Sequence, residues 1–246
     1  MERVSVVPGA MRRRSFIYRK LEALGAQFAE CNDAAVAGSF SGAAAEVAAA
    51  SKLGLADLSP LRRVGFKGAG AADWLAGQGL AVPAINRALR QSDGALVVRM
   101  GANDIMIVSD LNQRMQTPQR LLQAWSDAGV PPREPRGFPM LRQEGFCWFA
   151  LTGMRAAETM AKLCGVDMRP VKFADGEVAQ TSVARLSAVV VRNDLRDVLA
   201  YHLYADSASA EYWWECLLDA AREFDGKPVG LDALRSLADH PANVTG

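Results

Sequence analysis

Hydrophobic and polar positions along this chain form two blocks that repeat each other. Phe66-Lys67-Gly68-Ala69-Gly70-Ala71-Ala72-Asp73-Trp74-Leu75 is echoed by Leu151-Thr152-Gly153-Met154-Arg155-Ala156-Ala157-Glu158-Thr159-Met160. Each reads as a strand, a glycine exit and a helix with Ala-Ala-acid in the same register. A second echo follows, Leu96-Val97-Val98-Arg99 against Val189-Val190-Val191-Arg192, and each copy then leads to a tryptophan-bearing helix. Leu96 to Met100 and Ile105 to Ser109 flank Gly101-Ala102-Asn103-Asp104 and predict a hairpin. Thr117 predicts a helix cap with Pro118 at the first helical position, Leu121, Leu122, Trp125 and Ala128 on the buried face, and Gly129 as the stop. In the second block Cys147 to Leu151 predicts a fully buried strand. Ala210, Trp213, Trp214, Leu217, Leu218, Ala221 and Phe224 recur at helical spacing within Ser207 to Phe224, so the Trp pair reads as core rather than as an aromatic ligand cage. Two copies are too few for a solenoid; they predict an α+β fold of two similar halves, whose interface is the place to look for a ligand.

The remaining segments complete this organisation. Residues 1–14 read as a disordered, loosely attached arm. Phe16, Tyr18, Leu21 and Leu24, ending at Gly25, predict a short amphipathic helix. Ser41 to Lys52 is alanine-rich, with high helix propensity and Ser41 as its expected cap. Pro131, Pro132, Pro135 and Pro139 crowd a segment that can continue neither a helix nor a central strand. The division expected is therefore an arm at 1–14, a first α+β half at 15–130, a connector at 131–139 and a second α+β half at 140–240.

Composition narrows the function more by exclusion than by indication. The chain has 246 residues, half of them hydrophobic, and a net charge of +1, so no global field points to nucleic acid. Arg12-Arg13-Arg14 with Arg19 and Lys20 is the one basic cluster, either a solvated arm or a surface for an acidic partner. There is no apolar run of membrane-spanning length and no secretory signal, which points to the cytoplasm. The four cysteines form no C-x-x-C pair and read as reduced thiols; with His202 and His240 as the only histidines, a histidine-rich metal centre or a Ser-His or Cys-His pair is disfavoured. G-x-S-x-G, the P-loop and H-E-x-x-H are absent, and Gly65 to Gly70 lacks dinucleotide spacing. Any chemistry here rests on carboxylates and arginines, or on a cofactor's own reactivity.

Several segments, in order, resemble the folate-dependent aminomethyltransferase superfamily, which includes the glycine-cleavage T-protein and related subunits of heterotetrameric sarcosine oxidase. Phe16 to Phe28 looks like the family's opening helix and following strand. Leu53-Gly54-Leu55-Ala56-Asp57-Leu58-Ser59 looks like its Gly-x-x-Asp-Val-Ser turn, and Lys227-Pro228-Val229-Gly230-Leu231-Asp232-Ala233-Leu234-Arg235 like its Lys-Pro-x-Gly-Leu-Gly-Ala-Arg segment. The resemblance spans residues 15 to 238. In the second half, Gly165-Val166-Asp167-Met168, Ala179-Gln180-Thr181 and the Ser207 to Phe224 helix resemble the gamma subunit of heterotetrameric sarcosine oxidase. The C-terminal barrel of full-length T-proteins has no counterpart here.

The resemblance implies a tetrahydrofolate-associated subunit, with no flavin or metal of its own, in a multi-subunit oxidative N-demethylase acting on sarcosine or a methylated amine. Such a chain would help capture formaldehyde as 5,10-methylenetetrahydrofolate, as part of an oxidoreductase complex rather than as an independent catalyst. Its partners would be the other subunits, without nucleic acid or membrane. The alternative is a structural subunit that has lost its folate site; a third reading is the folate-binding repair protein of iron–sulfur enzymes, whose cysteine and tyrosine are missing from Phe173 to Gln180. By the same resemblance Asp93 aligns with the catalytic aspartate, in Ser-Asp-Gly rather than Asp-Asp. Asp110 stands where a pterin-contacting asparagine is usual, and Arg192 opens the folate loop. Asp197 is nearest to its glutamate, and Arg235 lies one step from its arginine. Each has a structural alternative: turn chemistry for Asp93, a loop cap for Asp110, and an internal ion pair with Asp194 or Asp197 for Arg192.

Overall fold

The computed structural model describes residues 4–113, 116–129 and 136–239. In chain order it contains β1 (Arg13–Arg14), α1 (Tyr18–Ala23), β2 (Gln27–Cys31), β3 (Ala34–Ser39), α2 (Ala43–Leu53), β4 (Gly54–Asp57), β5 (Arg63–Lys67), α3 (Ala71–Gly77), β6 (Arg87–Arg90), β7 (Leu96–Gly101) and β8 (Asp104–Val108). There follow α4 (Thr117–Asp127), β9 (Phe138–Met140), α5 (Arg142–Gly145), β10 (Phe146–Thr152), α6 (Ala156–Ala161), β11 (Val178–Val183), β12 (Leu186–Arg192), β13 (Ala200–Asp206), α7 (Ala210–Arg222), β14 (Lys227–Pro228) and α8 (Leu231–Asp239).

The repeated pattern becomes a repeated topology. The strand order β6-β7-β8-β5 in one sheet matches β11-β12-β13-β10 in another, and every pairing within both sets is antiparallel. The glycine exits correspond as well, with φ of 120° at Gly68 and 103° at Gly153, a region open to glycine at little cost. At Gly153 a Cβ would also lie 2.5 Å from the Lys52 backbone.

Each sheet is then completed by a strand from the other side of the chain. β4, which precedes the first unit, pairs with β10 of the second; β9, which precedes the second unit, pairs with β5 of the first. The halves 15–130 and 140–240 therefore interlock rather than sit side by side. Ile17, Leu21 and Phe28 share one core with Phe149, Trp213 and Trp214. Residues 130–135 of the proline-rich connector lie outside the described residues. Pro139 sits in β9 at the sheet edge, where a missing N–H breaks no ladder. The equivalent edge strands β6 and β11 also meet, through Ala88 N–H to the Gly176 carbonyl (2.7 Å) and Val178 N–H to the Asn86 carbonyl (3.1 Å).

Four local expectations are revised. Residues 4–14 are tied down: Val6 N–H donates to Phe28 (3.1 Å), Glu30 N–H to Val4 (3.0 Å), and β1 pairs in parallel with β3. The β2–β3 hairpin has two open backbone edges, and this segment satisfies groups on both. In α1, Leu21 is buried whereas Phe16 and Leu24 stay largely exposed. Gln116, not Thr117, holds the cap position of α4; the Thr117 hydroxyl donates instead to Asp93. Ser41 does not cap α2, which starts after Gly42.

The capping work falls to Glu46, a buried carboxylate. Its Oε1 accepts from the Ser39 hydroxyl (2.7 Å) and from the amides of Phe40 (2.7 Å), Ser41 (2.8 Å) and Gly42 (3.0 Å). Its Oε2 accepts from Gly230 N–H at 2.7 Å, joining the start of α2 to the approach to α8. Residue 230 must be glycine, because a Cβ there would stand 1.9 Å from the Gly38 carbonyl oxygen. Burial pushes the Glu46 carboxyl up, but the hydrogen bonds together outweigh it and hold the group below the ordinary 4.5. Glu46→Ala should cost about 3 kcal/mol in urea unfolding, since it strands several donors at once. Its contribution is complete above the ordinary glutamate range and is lost as pH falls through the lowered folded value, so the gap between wild type and variant should close in acid.

Candidate functional site

The five residues singled out from the resemblance do not converge on one cleft. Asp93 sits in the turn between β6 and β7, where Gln91 N–H bonds the Ala95 carbonyl (2.7 Å) and Gly94 takes a φ of 87°. Its Oδ1 accepts Ala95 N–H at 3.0 Å and its Oδ2 the Thr117 hydroxyl. The carboxylate thus closes its own turn and anchors α4. Asp110 follows β8 and abuts this turn: a Cβ on Gly94 would come within 3.1 Å of the Asp110 Cβ. Asp110 Oδ1 is buried and has no hydrogen-bond partner among the described residues. Arg235, on α8, reaches the same loop, its Nε donating to the Leu111 carbonyl at 3.0 Å and its Nη2 to the Cys31 sulfur at 3.3 Å.

Arg192 belongs to a different neighbourhood. Its guanidinium grips Asp194 through Nε (3.1 Å) and Nη2 (2.6 Å), while Nη1 donates to the carbonyls of Phe173 (2.7 Å) and Pro170 (3.3 Å). Asp194 holds the guanidinium in its charged form, raising its pKa. Its repeat counterpart Arg99 behaves alike, donating to the carbonyls of Pro83 (3.1 Å), Ala102 (3.3 Å) and Gly101 (3.4 Å). In both units this arginine fastens a loop to a strand end. Asp197 is exposed on the Leu195–Val198 turn and joins no part of this network.

Between the sheets the space is filled. Leu96, Val98, Met106, Trp148, Val178, Val191 and Tyr204 are buried in one cluster, with Trp148 stacked on Tyr204 at 5.6 Å. Open cavities of about 440 Å³, beside α2 and β14, and about 360 Å³, beside β1, are lined by none of the five residues. The five residues thus lie in separate neighbourhoods, and of the five Asp110 offers a buried acceptor, Oδ1, with no hydrogen-bond partner among the described residues.

Sequence reading missed a polar chain that runs from the buried Trp148 and His202 through half-buried Asn193 to exposed Arg90. Trp148 Nε1–H donates to His202 Nδ1 (3.0 Å), His202 Nε2 faces the Asn193 amide (3.5 Å), and Arg90 donates to Asn193 Oδ1 (2.8 Å). Burial, helped by the charge of Arg90, pushes the His202 imidazole down to about 4, so it is neutral near pH 7. Burial drives the Cys147 thiol up to about 12, leaving it protonated and a poor nucleophile. The spacing Ala200-Tyr201-His202-Leu203-Tyr204 carried the only available signal, a polar ring inside a strand otherwise apolar on both faces. Among the described residues no group of three His, Cys, Asp or Glu side chains could hold a metal, and no helix is long and apolar enough to cross a membrane.

Two interlocked antiparallel units, with a short strand hairpin packed on one of them, define the class: an aminomethyltransferase-type α+β fold. The sequence model of the GCVT N-terminal domain matches residues 17–238, and the chain belongs to that family. An aminomethyltransferase of Acidobacterium capsulatum is 33% identical over 93 residues, a match taking in 36% of this chain and 24% of the relative. The matched segment is thus about a quarter of that relative's length. The fold is similar to that of the glycine cleavage system aminomethyltransferase T from Bartonella henselae, with a TM-score of 0.70, 17% identity, and 92% of this chain and 62% of that one covered. It is also similar to a chain of the heterotetrameric sarcosine oxidase from Corynebacterium sp. U-96, with a TM-score of 0.58, 21% identity, and 74% and 92% covered.

Two outcomes follow from this geometry. Arg192→Ala and Asp194→Ala should each lower stability by about 2 kcal/mol, and the double variant little more than either, because each strands the other's charge. An arginine kept only for a ligand would leave the denaturation midpoint unchanged. For His202, the unfolded chain takes up a proton below the ordinary value of 6.5 that the folded chain refuses down to about 4. Stability should therefore fall as pH drops through that window, by up to about 3 kcal/mol. His202→Gln should flatten that slope in denaturation series run at stepped pH.

Proposed function

We propose that this chain is a structural subunit of a cytoplasmic, multi-subunit N-demethylating amine oxidase, organising partner chains rather than carrying the one-carbon chemistry itself. The observation that carries the reading is the closure of Arg192 on Asp194 and on two backbone carbonyls; Arg99 in the other unit is likewise spent, on three backbone carbonyls. An arginine with these bonds has little donor capacity left for a folate carboxylate. The filled space between the sheets supports the same reading. The fold shared with a chain of a heterotetrameric sarcosine oxidase supports partner subunits and the amine-oxidising setting.

A second reading, tetrahydrofolate held jointly with a partner for capture of formaldehyde as 5,10-methylenetetrahydrofolate, is favoured by one feature. Asp110 Oδ1 is a buried acceptor without a partner among the described residues, next to the Asp93 turn. The test is to co-purify the chain with its partner subunits and titrate tetrahydrofolate into the complex by calorimetry. The structural reading expects a stable complex whose folate affinity is unchanged by Asp93→Asn or Asp110→Asn. Weakening by about tenfold or more in either variant, as removal of one charge-assisted hydrogen bond would give, would move the one-carbon acceptor onto this chain. A chain that forms no complex at all would sink both readings.

A further inference from the structure

The N-terminal face carries positive charge that the fold does not consume. From residue 4 to residue 21 the chain holds Arg12, Arg13, Arg14, Arg19 and Lys20 and no acid. Two of these cations are neutralised within the chain, Arg13 by Asp33 and Lys20 by Glu215 at 2.5 Å. Arg12, Arg14 and Arg19 have no carboxylate within ion-pair distance among the described residues, and all three are exposed.

Arg14 and Arg19 are held in place by side-chain contacts. The guanidinium carbons of Arg14 and Arg19 stand 5.0 Å and 4.9 Å from the centre of the same Tyr18 ring. Arg14 is held further by donating to the Met11 carbonyl at 2.6 Å. The contact with Tyr18 restrains both guanidiniums, and the N–H groups that Arg14 does not spend on Met11 are left for a ligand. Two like charges fixed on one ring repel each other, so an anion that approaches both gains more than it would from either alone. Beside them runs a groove of about 360 Å³ between the Arg12–Tyr18 segment and Ser59, Pro60, Gln143 and Glu144. Phe16, 40% exposed, supplies an apolar wall, and β1 is the edge strand of its sheet.

We infer that this groove docks an extended acidic segment of a partner subunit, its carboxylates meeting Arg12 and Arg14, which line it, and Arg19, which stands against the lining Tyr18 ring, with an apolar side chain lying on Phe16. Charge complementarity selects the occupant: planar guanidinium edges suit carboxylates, and arginine with aromatic side chains is the composition of a protein interface. An extended segment can also run alongside β1, whose outer edge has no strand partner among the described residues. A concave groove with one apolar wall fits a chain segment better than the flat surface of a bilayer. The inference rests on the subunit reading above and adds the place and chemistry of one contact.

The test uses the full chain and a fluorescein-labelled peptide of alternating glutamate and leucine, read by anisotropy. The peptide should bind, lose affinity as salt is added, and bind about tenfold more weakly or worse to the Arg12→Glu, Arg14→Glu, Arg19→Glu triple variant, as expected when three exposed charge pairs are removed together. Lys172→Glu, an exposed charge reversal elsewhere, should leave affinity unchanged, and circular dichroism of the triple variant should match wild type. No binding, or equal binding by the triple variant, overturns the inference. So does arginine-dependent sedimentation with phosphatidylserine vesicles when the peptide does not bind. In co-purification, a triple variant that assembles as well as wild type also overturns it while leaving the subunit reading intact. Wild type that assembles with no partner overturns the subunit reading, and the peptide titration then decides the groove by itself.

Discussion

The fold depends on an exchange of strands between its two units. β4 leaves the first unit's side of the sequence to flank β10, and β9 leaves the second's to flank β5. Neither four-stranded set is complete without a strand from across the chain, because β5 and β10 would otherwise expose a row of unpaired backbone groups. The exchange also explains why the N-terminal hairpin belongs to the second unit's core: α2 ends directly at β4, so the segment before it is carried to the β10 side. Both glycine exits lie where the exchanged chains pass close, with Gly153 against Lys52 and Gly68 beside Gly137.

At the seam a buried arginine is satisfied by backbone carbonyls and stands in the field of a buried aspartate. Arg63, the first residue of β5, is buried, and its guanidinium donates to the carbonyls of Ser59 (2.9 Å), Leu61 (2.9 Å), Gln143 (3.0 Å) and Phe146. Phe146 begins β10, so this arginine links the starts of the two equivalent strands. Burial lowers its pKa to about 10, which still leaves it charged at neutral pH. Asp57, at the end of β4, is also buried, and burial pushes its carboxyl up while the Ser59 amide, at 3.0 Å, favours its ionised form. Removing a cation from such a setting exposes several carbonyls to a dry interior, whereas an apolar replacement of the whole cluster would need all of them rearranged.

Much of the architecture was legible because it is periodic. The Ala-Ala-acid echo, the hairpin around Gly101 to Asp104 and the Trp213–Trp214 face each express a rule acting over a few residues, and each appears in the structure. The strand exchange was not legible, because partners such as Phe149 and Asp57 lie far apart in sequence and either apolar run could have paired locally. The arm at 4–14 was misread for a related reason: its partners are backbone groups, which composition does not reveal. Ser41 followed cap statistics, yet the longer Glu46 side chain reached the same amides and Gly230 besides. For the candidate site, resemblance located the positions of Asp93 and Arg192 but not their partners. Side chains such as Thr117 and Asp194 decide whether a carboxylate or guanidinium is available, and the sequence does not show that Thr117 turns toward Asp93.

The same accounting separates interior from surface. Inside, several charged groups are closed: Asp93 by its turn and Thr117, Arg192 by Asp194, Arg235 by Leu111 and Cys31, Glu46 by its amides, whereas Asp110 Oδ1 has no partner among the described residues. A ligand entering there would have to break bonds already worth about 1–3 kcal/mol each before making any of its own. Outside, at β1, Arg12, Arg14 and Arg19 pair with no carboxylate among the described residues, and Arg12 and Arg14 line an open groove beside the exposed Phe16 ring. Recognition needs unspent donors that are held in place without being used. On the outer face of the N-terminal hairpin the donors of Arg12, Arg14 and Arg19 are less committed than those of Arg192, and that difference is what the proposed docking of a partner segment rests on.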